Sequence, residues 1–475
     1  MRVAVVGQGY VGVAGAVALA RQGHHVTGIE RDATRLESLT AGRTPVSEPG
    51  LQEELSLALG TGRLRFAPDL AHTHLREPFD VVLITVGSPP TEDGSADLSQ
   101  VGVALAEAAA LLPAPYVVLK STVPPGTSDG FLVAYPQLRD RYAYTPEFLN
   151  QGSALDDWST PSRVVVGLWS QALVLPALRE LYGPLACPWV VTTPASAEMV
   201  KYASNTFLAM KISFANEFAR LCTAPELNID HVMQGVGLDP RIGHAFLQPG
   251  LGFGDSCLPK DTAALTHWAV ARGLPTPLLD AAVAVNRAQP GLVRDTLRAE
   301  LGDDLARCEV AVLGARYEPW SDDMRAAPSR VVVPQLLEDV AGVRVWDPAM
   351  DAEHLGRLFP GARPCPDLRR AVEGARAAVI LTEWPETIEA DWSALGARMA
   401  SPAVVVDGKN CLLPERLAGL PFTYRSVGNR MHPRGGATRA AGGLPTAAAG
   451  RDVLFGEPDD PPRDDHARPA GDPTG

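Results

Sequence analysis

The first twelve residues constrain the fold more than any other stretch of the chain. Arg2-Val3-Ala4-Val5-Val6 is a short apolar run, and Gly7-Gln8-Gly9-Tyr10-Val11-Gly12 follows it directly. Residues 10–22 then show helical spacing of their apolar side chains. In such a strand–turn–helix each glycine has its own use. Gly7 permits the tight turn, Gly9 lets a pyrophosphate approach the backbone, and Gly12 lets helix pack on strand. The helix N-terminus favours the anion. A second strand, read at 24–30, closes on Glu30, a carboxylate that suits the free ribose hydroxyls of NAD and repels the extra phosphate of NADP. Arg31 sits beside it and softens that preference. The candidate cofactor is therefore NAD, held at Gly7, Gly9, Tyr10, Val11, Gly12, Glu30 and Arg31; a glycine-rich turn in an unrelated α/β fold is the competing reading.

The same alternation continues along the chain. Short strands are expected at 80–86, 116–120 and 163–167, with Ala/Leu-rich helical stretches between several of them. Strands alternating with helices predict a parallel sheet covered on both faces. Residues 196–222 form the longest helical candidate, with no Gly or Pro inside it. A second alternation starts near 308, with strands expected at 308–314, 343–347, 377–382 and 403–408. The expected fold is α/β: two Rossmann-like doubly wound domains joined by a long central helix. The segment 431–475 is Gly, Pro, Ala and Asp with few large apolar residues. It buries too little surface to offset chain entropy, so a disordered tail is expected.

Charge and cysteine usage remove several function classes. Asp and Glu number 55 against 42 Lys and Arg, a formal net charge of -13. A nucleic-acid binder needs a basic footprint to meet phosphates, so none is expected as a partner. The six cysteines, at 187, 222, 257, 308, 365 and 411, form no CxxC pair. That excludes a zinc ribbon or a disulfide framework and points to a reducing cytoplasm, with no metal site. The apolar N-terminus has some character of a signal peptide, but glycines at 7, 9, 12 and 15 mark a strand-to-helix turn. The other long apolar stretch, 101–119, carries Glu107, Pro113 and Pro115 and makes a poor membrane span. A soluble protein is expected.

The chemistry-bearing residues fall in three places. Pro249–Asp261 is a loop by composition, holding Cys257 among glycines with Lys260 and Asp261 just beyond. A lone cysteine is usually a small buried hydrophobe. In this setting a nucleophile is favoured, because a thiolate needs access and electropositive help. On the long helix Lys201 and Asn205 share one face. Lys201 is either a lysine snorkelling from a core helix or, with Asn205, a stabiliser of an oxyanion. Lys120–Thr127, with Thr122, and Tyr144–Asn150, with Glu147, follow candidate strands where α/β sheets place ligands. Ordinary turn chemistry explains either segment equally well.

Taken together, these segments resemble the UDP-glucose/GDP-mannose dehydrogenase family. The matches are GQGYVG (7–12), GRTPVSEPGL (42–51), ITVGSPPTEDGSADLS (84–99), KSTVPPGT (120–127) and TPEFLNQGSALDD (145–157). They continue through AEMVKYASNTFLAMKISFANE (197–217), GLDPRIGHAFLQPGLGFGDSCLPKD (237–261), GARYEPWSDDMRAAP (314–328) and VVDGKN (405–410). The resemblance implies a four-electron oxidation of a nucleotide sugar's C6 alcohol with two NAD. It implies an NAD-binding domain at 1–192, a central helical and dimer-forming region with the cysteine loop at 193–295, and a nucleotide-sugar domain at 296–430. Cys257 would attack the aldehyde, with Lys201 and Asn205 stabilising oxyanions and Glu147, Thr122 and Asp261 handling protons or water. Val86 and Thr122 join the cofactor set. Glu147, Phe148, Leu149, Lys201, Asn205, Arg241, Phe253, Gly254, Cys257, Tyr317 and Lys409 fall at positions that contact substrate. The central helix is expected to be apolar nearly all round and to form a homodimer.

Three departures bear on substrate and activity. The residue after Gly254 is Asp255 where the family usually has glycine, and a carboxylate near Cys257 makes the thiolate harder to form. The family's Phe-Lys-Pro reads Tyr317-Glu318-Pro319 here, and its Asp-Gly-Arg-Asn reads Asp407-Gly408-Lys409-Asn410. Lys does not reproduce a bidentate Arg contact to phosphate. The expected activity is UDP-glucose oxidation to the uronic acid. The alternatives are dTDP-glucose, GDP-mannose, or a non-catalytic nucleotide-sugar sensor.

Overall fold

Two twisted sheets, joined through one long helix, make up the molecule. The computed structural model describes residues 1–430 apart from 171–172, 224–226, 255–256, 320–323 and 325. The expected tail at 431–475 and Asp255 thus lie outside the described residues. The first sheet contains β1 (Arg2–Val6), β2 (His25–Ile29), β3 (Leu64–Ala67), β4 (Val81–Ile84), β5 (Tyr116–Leu119), β6 (Tyr142–Tyr144), β7 (Val164–Leu168) and β8 (Trp189–Thr192). Their order is β3-β2-β1-β4-β5-β6-β7-β8. The second contains β9 (Glu309–Leu313), β10 (Gly342–Trp346), β11 (Arg363–Pro364), β12 (Ala377–Ile380), β13 (Ala403–Asp407), β14 (Phe422–Ser426) and β15 (Asn429–Arg430), in the order β11-β10-β9-β12-β13-β14-β15. Both are Rossmann-like and doubly wound.

The central strands read as continuous apolar runs because both their faces are covered: Val3, Ala4, Val5, Val82, Leu83, Val117 and Val118 are all fully buried. The edge strands β3 and β8 are only four residues each and partly exposed, and Arg65 interrupts β3. That is why sequence reading passes over them. The expected parallel pairing is broken at two places: β6 pairs antiparallel with β7, and β14 with β15. An antiparallel step needs no helical crossover. The link from β6 to β7 carries only the short helix Ala154–Ser159, leaving residues 145–153 as a loop.

The order of the first sheet reverses between β1 and β4, which puts a crevice at the carboxyl ends of these strands. Gly7 occupies that point with φ of 88°. A Cβ on Gly12 would lie 1.9 Å from the Gly7 carbonyl oxygen, so the helix Tyr10–Arg21 approaches the turn only through glycine.

The central helix, Pro194–Thr223, has an unusual distribution of side chains. Its inner face is small and polar, burying Glu198, Lys201, Asn205, Ser213 and Asn216, while Phe207, Phe214 and Leu221 are 60%, 46% and 59% exposed. The expectation of a helix apolar nearly all round is therefore not met: Tyr202 is buried, while Phe207, Phe214 and Leu221 face outward at seven-residue spacing. Near its start, Glu198 accepts hydrogen bonds from the Gly126 amide at 2.6 Å, the Ser128 amide at 2.8 Å and the Ser128 hydroxyl at 2.6 Å. This ties the helix to the turn after β5.

Burial pushes the Glu198 carboxyl up to about 7, against the pull of those donors. A folded value raised above the unfolded 4.5 stabilises fully below pH 4.5 and is lost as pH rises through about 7. Stability is therefore expected to fall by up to about 3 kcal/mol from this group between pH 4.5 and 8. In a Glu198→Gln variant the slope of melting temperature against pH over that window should flatten; an unchanged slope would refute the assignment.

Candidate active site

A cleft of about 810 Å³ opens at the reversal point of the first sheet, a size that suits a dinucleotide. Gly7, Gly9, Tyr10, Val11, Glu30, Arg31, Val86 and Thr122 line it, together with Glu147 and Cys257. A Cβ on Gly9 would meet nothing within 4 Å, so the backbone there is open to a bound group. The helix Tyr10–Arg21 has no side-chain cap at Gly9, leaving its first amides for an anion. Glu30 is buried and accepts from the Gln8 amide at 3.1 Å, the Asp32 amide at 2.9 Å and Arg35 Nη1 at 3.2 Å. Arg31 is turned to an ion pair with Glu107 on the cleft rim. These features fit NAD: a cradle for the diphosphate and a fixed carboxylate for the ribose. Arg35, which sequence reading missed, also borders the cleft. Its only signal is its place five residues after Glu30.

The catalytic candidates converge where this cleft meets the central helix. Glu147, in the loop after β6, lies 3.0 Å from Lys201 Nζ. Burial pushes the carboxyl up, but the Lys201 ammonium and the Leu149 amide outweigh it and hold Glu147 below its ordinary range. Burial likewise works to lower Lys201, and Glu147, then Asp261 and Cys257, hold it above. At neutral pH the pair is thus carboxylate and ammonium, suited to stabilising an oxyanion rather than to donating from a neutral acid. One turn on, Asn205 donates to Asp261 at 2.6 Å, and Lys260 is 2.5 Å from the other oxygen of Asp261. Asp261 is wholly buried. Cys257 stands at the N-cap of the helix Leu258–Val270 and is not in a disulfide. The helix N-terminus and Lys201 both present positive potential to its sulfur. Trp268 of the same helix donates to the Pro125 carbonyl at 2.9 Å, holding the cysteine helix against the Thr122 turn.

The loop before Cys257 is held by amides that sequence reading did not single out. Asn286 accepts from the Phe253 amide at 2.6 Å and donates to its carbonyl at 2.9 Å. Asn216 accepts from the Gly250 amide at 2.8 Å, and Gln289 donates to its carbonyl at 2.8 Å. A Cβ on Gly254 would lie 2.6 Å from the Tyr317 ring, so the loop touches the second sheet's domain through glycine. Lys409 lies 2.9 Å from Glu383 and 3.3 Å from the Tyr317 carbonyl. Burial works to lower it, but Glu383, Tyr317 and Glu318 hold it above its ordinary range. Its charge is thus already answered within the protein.

Phe148 lies under both Arg163, 3.8 Å from the ring centroid, and Lys201, 5.4 Å from it. Phe148 and Leu149 line a second cavity of about 290 Å³ that shares Glu147 with the main cleft. Arg241 is not brought to the cleft: it is exposed and paired with Asp239 at 2.6 Å. Among the described residues no cluster of His, Cys, Asp or Glu suited to a metal is present. Removing a charged acceptor costs about 1.5–3 kcal/mol, so Glu30→Ala is expected to weaken NAD binding ~10- to 100-fold. Fluorescence titration checks this; unchanged affinity would place the ribose elsewhere.

Comparison with known proteins agrees with this geometry. The NAD-binding domain of the UDP-glucose/GDP-mannose dehydrogenase family matches residues 1–186, its central domain 195–288 and its UDP-binding domain 311–414. The UDP-glucose 6-dehydrogenase of Pseudomonas aeruginosa is 39% identical over 460 residues, covering 93% of this chain and all of that protein. That of Rhizobium meliloti is 39% identical over 440 residues, with 90% and 99% covered. Among solved structures, a UDP-glucose dehydrogenase from the archaeon Pyrobaculum islandicum superposes with a TM-score of 0.81 at 36% identity, covering 90% of this chain and 98% of that one. With NAD as the cofactor of its first domain and the three domains in order, the chain belongs to the UDP-glucose/GDP-mannose dehydrogenase family.

Proposed function

We propose that this protein oxidises the C6 alcohol of UDP-glucose to the carboxylate of UDP-glucuronate, through a thiohemiacetal and a thioester on Cys257. The observation that carries the reading is the position of Cys257. It caps a helix at the edge of the dinucleotide cleft and is electrostatically coupled to Lys201, itself 3.0 Å from Glu147. The names of the relatives above support the substrate.

NAD, when bound, accepts the hydrides of both oxidations. The protein's residues do the rest. The Glu147 carboxylate takes the C6 hydroxyl proton as the aldehyde forms. Cys257 Sγ, its proton released to solvent, adds to that carbonyl carbon as the thiolate, and the oxygen anion meets the Lys201 ammonium. Asn205 spends one amide hydrogen on Asp261 and keeps the second for the same anion. Loss of the second hydride leaves the carbon–sulfur bond intact as a thioester. Water held at Asp261 and Thr122 then attacks, the carbon–sulfur bond breaks, and the thiol recovers its proton. One cofactor site and two oxidations require an exchange midway, during which the Cys257 adduct keeps the sugar in place.

A second reading concerns the nucleotide. Lys409 is engaged by Glu383, and Glu318 adds negative charge beside it, in the half of the chain where the resemblance places the nucleotide end. This favours an altered nucleotide, such as dTDP-glucose, or weaker binding. GDP-mannose is the remaining branch of the family. The test is NADH formed per sugar at completion, with UDP-glucose, dTDP-glucose and GDP-mannose in parallel. Two per UDP-glucose is expected, with Cys257→Ser falling to one or fewer and slowed by at least ~10³. One per sugar in the unaltered protein would overturn the thioester route, and faster turnover of dTDP-glucose would favour the second reading.

The outward stripe of Phe207, Phe214 and Leu221 supports a homodimer through the central helix. The loop beside it exposes Leu238, Ile242 and Arg241, and Lys211 of the helix donates to the Ile242 carbonyl at 3.0 Å. Arg241 is placed by this reading to reach the sugar of the partner subunit. Replacing Phe207 and Phe214 by Asp should give a monomer in light scattering, and with it a raised KM for the sugar nucleotide. A variant that stays dimeric would place the interface elsewhere. Six cysteines without a disulfide support a cytoplasmic setting, and no helix among the described residues is long and apolar enough to cross a membrane.

A further inference from the structure

The segment 42–51 takes no part in the steps above, yet it carries a carboxylate bonded to both halves of the site. Glu48 is buried, 8% exposed. It accepts from the Gly152 amide at 2.9 Å and the Ala154 amide at 2.7 Å. The Tyr10 hydroxyl lies 2.6 Å from the same carboxylate and 3.0 Å from the Asn150 carbonyl. Tyr10 opens the first helix immediately after Gly9 and lines the cofactor cleft. Asn150–Ala154 complete the loop whose earlier residues are Glu147, Phe148 and Leu149. One side chain from a third segment thus holds the dinucleotide turn and the loop beside the reacting sugar.

Fixing the loop alone does not require Tyr10. The amides of Gly152 and Ala154 are satisfied by Glu48, and Asp157 accepts from the Asn150 amide at 2.7 Å. The tyrosine adds a bond that crosses to the other ligand's site. Burial, then the hydrogen bond to Glu48, holds its hydroxyl protonated far above neutral pH, so the tyrosine remains a donor.

We propose that Glu48 is a positioning residue which, through Tyr10, couples the NAD turn to the sugar loop, so that filling either site tightens the other. This rests on the nucleotide-sugar dehydrogenase reading given above. In a reaction that exchanges its cofactor with the sugar still held, such a tie restores the cleft around each fresh cofactor against a loop already in register. Coupling of this kind is reciprocal: the factor by which sugar tightens cofactor equals the factor by which cofactor tightens sugar.

The test titrates NADH fluorescence in the full-length protein, with and without saturating UDP-glucose. NADH accepts no hydride, so nothing turns over. UDP-glucose is expected to tighten NADH binding at least about fivefold, and Tyr10→Phe to bring that factor below about twofold. Glu48→Ala strips two buried amides of their acceptor and risks the loop itself, whereas Tyr10→Phe leaves both of those bonds in place. A merely structural role would lower the separate affinities and leave the factor unchanged. A factor of one in the unaltered protein, or a full factor in Tyr10→Phe, overturns the proposal. If UDP-glucose fails to bind, the substrate reading falls, and the same comparison with dTDP-glucose or GDP-mannose, whichever binds, decides the coupling. If none of the three binds, both readings fall.

Discussion

The organisation of the active site depends on the burial of charge along one face of the central helix. Glu198, Lys201 and Asn205 lie on successive turns and point inward, to Ser128, Glu147 and Asp261 respectively. Taking an ammonium or carboxylate out of water costs several kcal/mol, and the cost is offset only when a partner sits at hydrogen-bond distance. Each partner here comes from a different segment: the turn after β5, the loop after β6, and the cysteine helix. The helix therefore acts as a template. Three segments distant in sequence must be in place together, or a buried polar or charged group is left without its partner.

The remaining supports are of a different kind. The loop leading to Cys257 is gripped by neutral amides, Asn216, Asn286 and Gln289, which satisfy backbone groups that a glycine-rich segment would otherwise leave to water. Gly254 lets it approach Tyr317 more closely than a side chain would allow, and Gly250 sits tightly against Gly408. Cationic potential at the sulfur thus comes from the helix terminus and Lys201, while the loop itself contributes shape. The same division recurs in the cofactor cleft, where glycines give shape and Glu30 gives charge.

Sequence reading succeeds where the chemistry is local. The turn at Gly7–Gly12 is legible because three glycines, a strand and a helix are needed within a dozen residues, and nothing distant changes that need. Cys257 stands out as a candidate because a cysteine among glycines and charges is an unusual local setting, and the fold sets it on the wall of the dinucleotide cleft. Strands β3 and β8 escape because each is only four residues and partly exposed at a sheet edge, and Arg65 breaks the apolar run of β3. The antiparallel turn from β6 to β7 escapes because strand direction leaves no trace in a short segment's composition. Arg35, Asn216 and Asn286 escape because single polar residues on helices look the same whether they face solvent or a buried backbone amide.

The sequence by itself determined two α/β domains and a dinucleotide turn with an acidic strand end, and it singled out Cys257, Lys201 and Asn205 as the candidates for chemistry. Those features follow from backbone conformation and side-chain chemistry within a few residues. Only the tertiary structure decided the charge state of the Glu147–Lys201 pair, the sharing of Asp261 between Asn205 and Lys260, and the engagement of Lys409 by Glu383. It also decided that Phe207 and Phe214 face outward while Arg241 lies away from the cleft. Electrostatic interaction depends on distance and burial, and both are set by residues far apart in the chain.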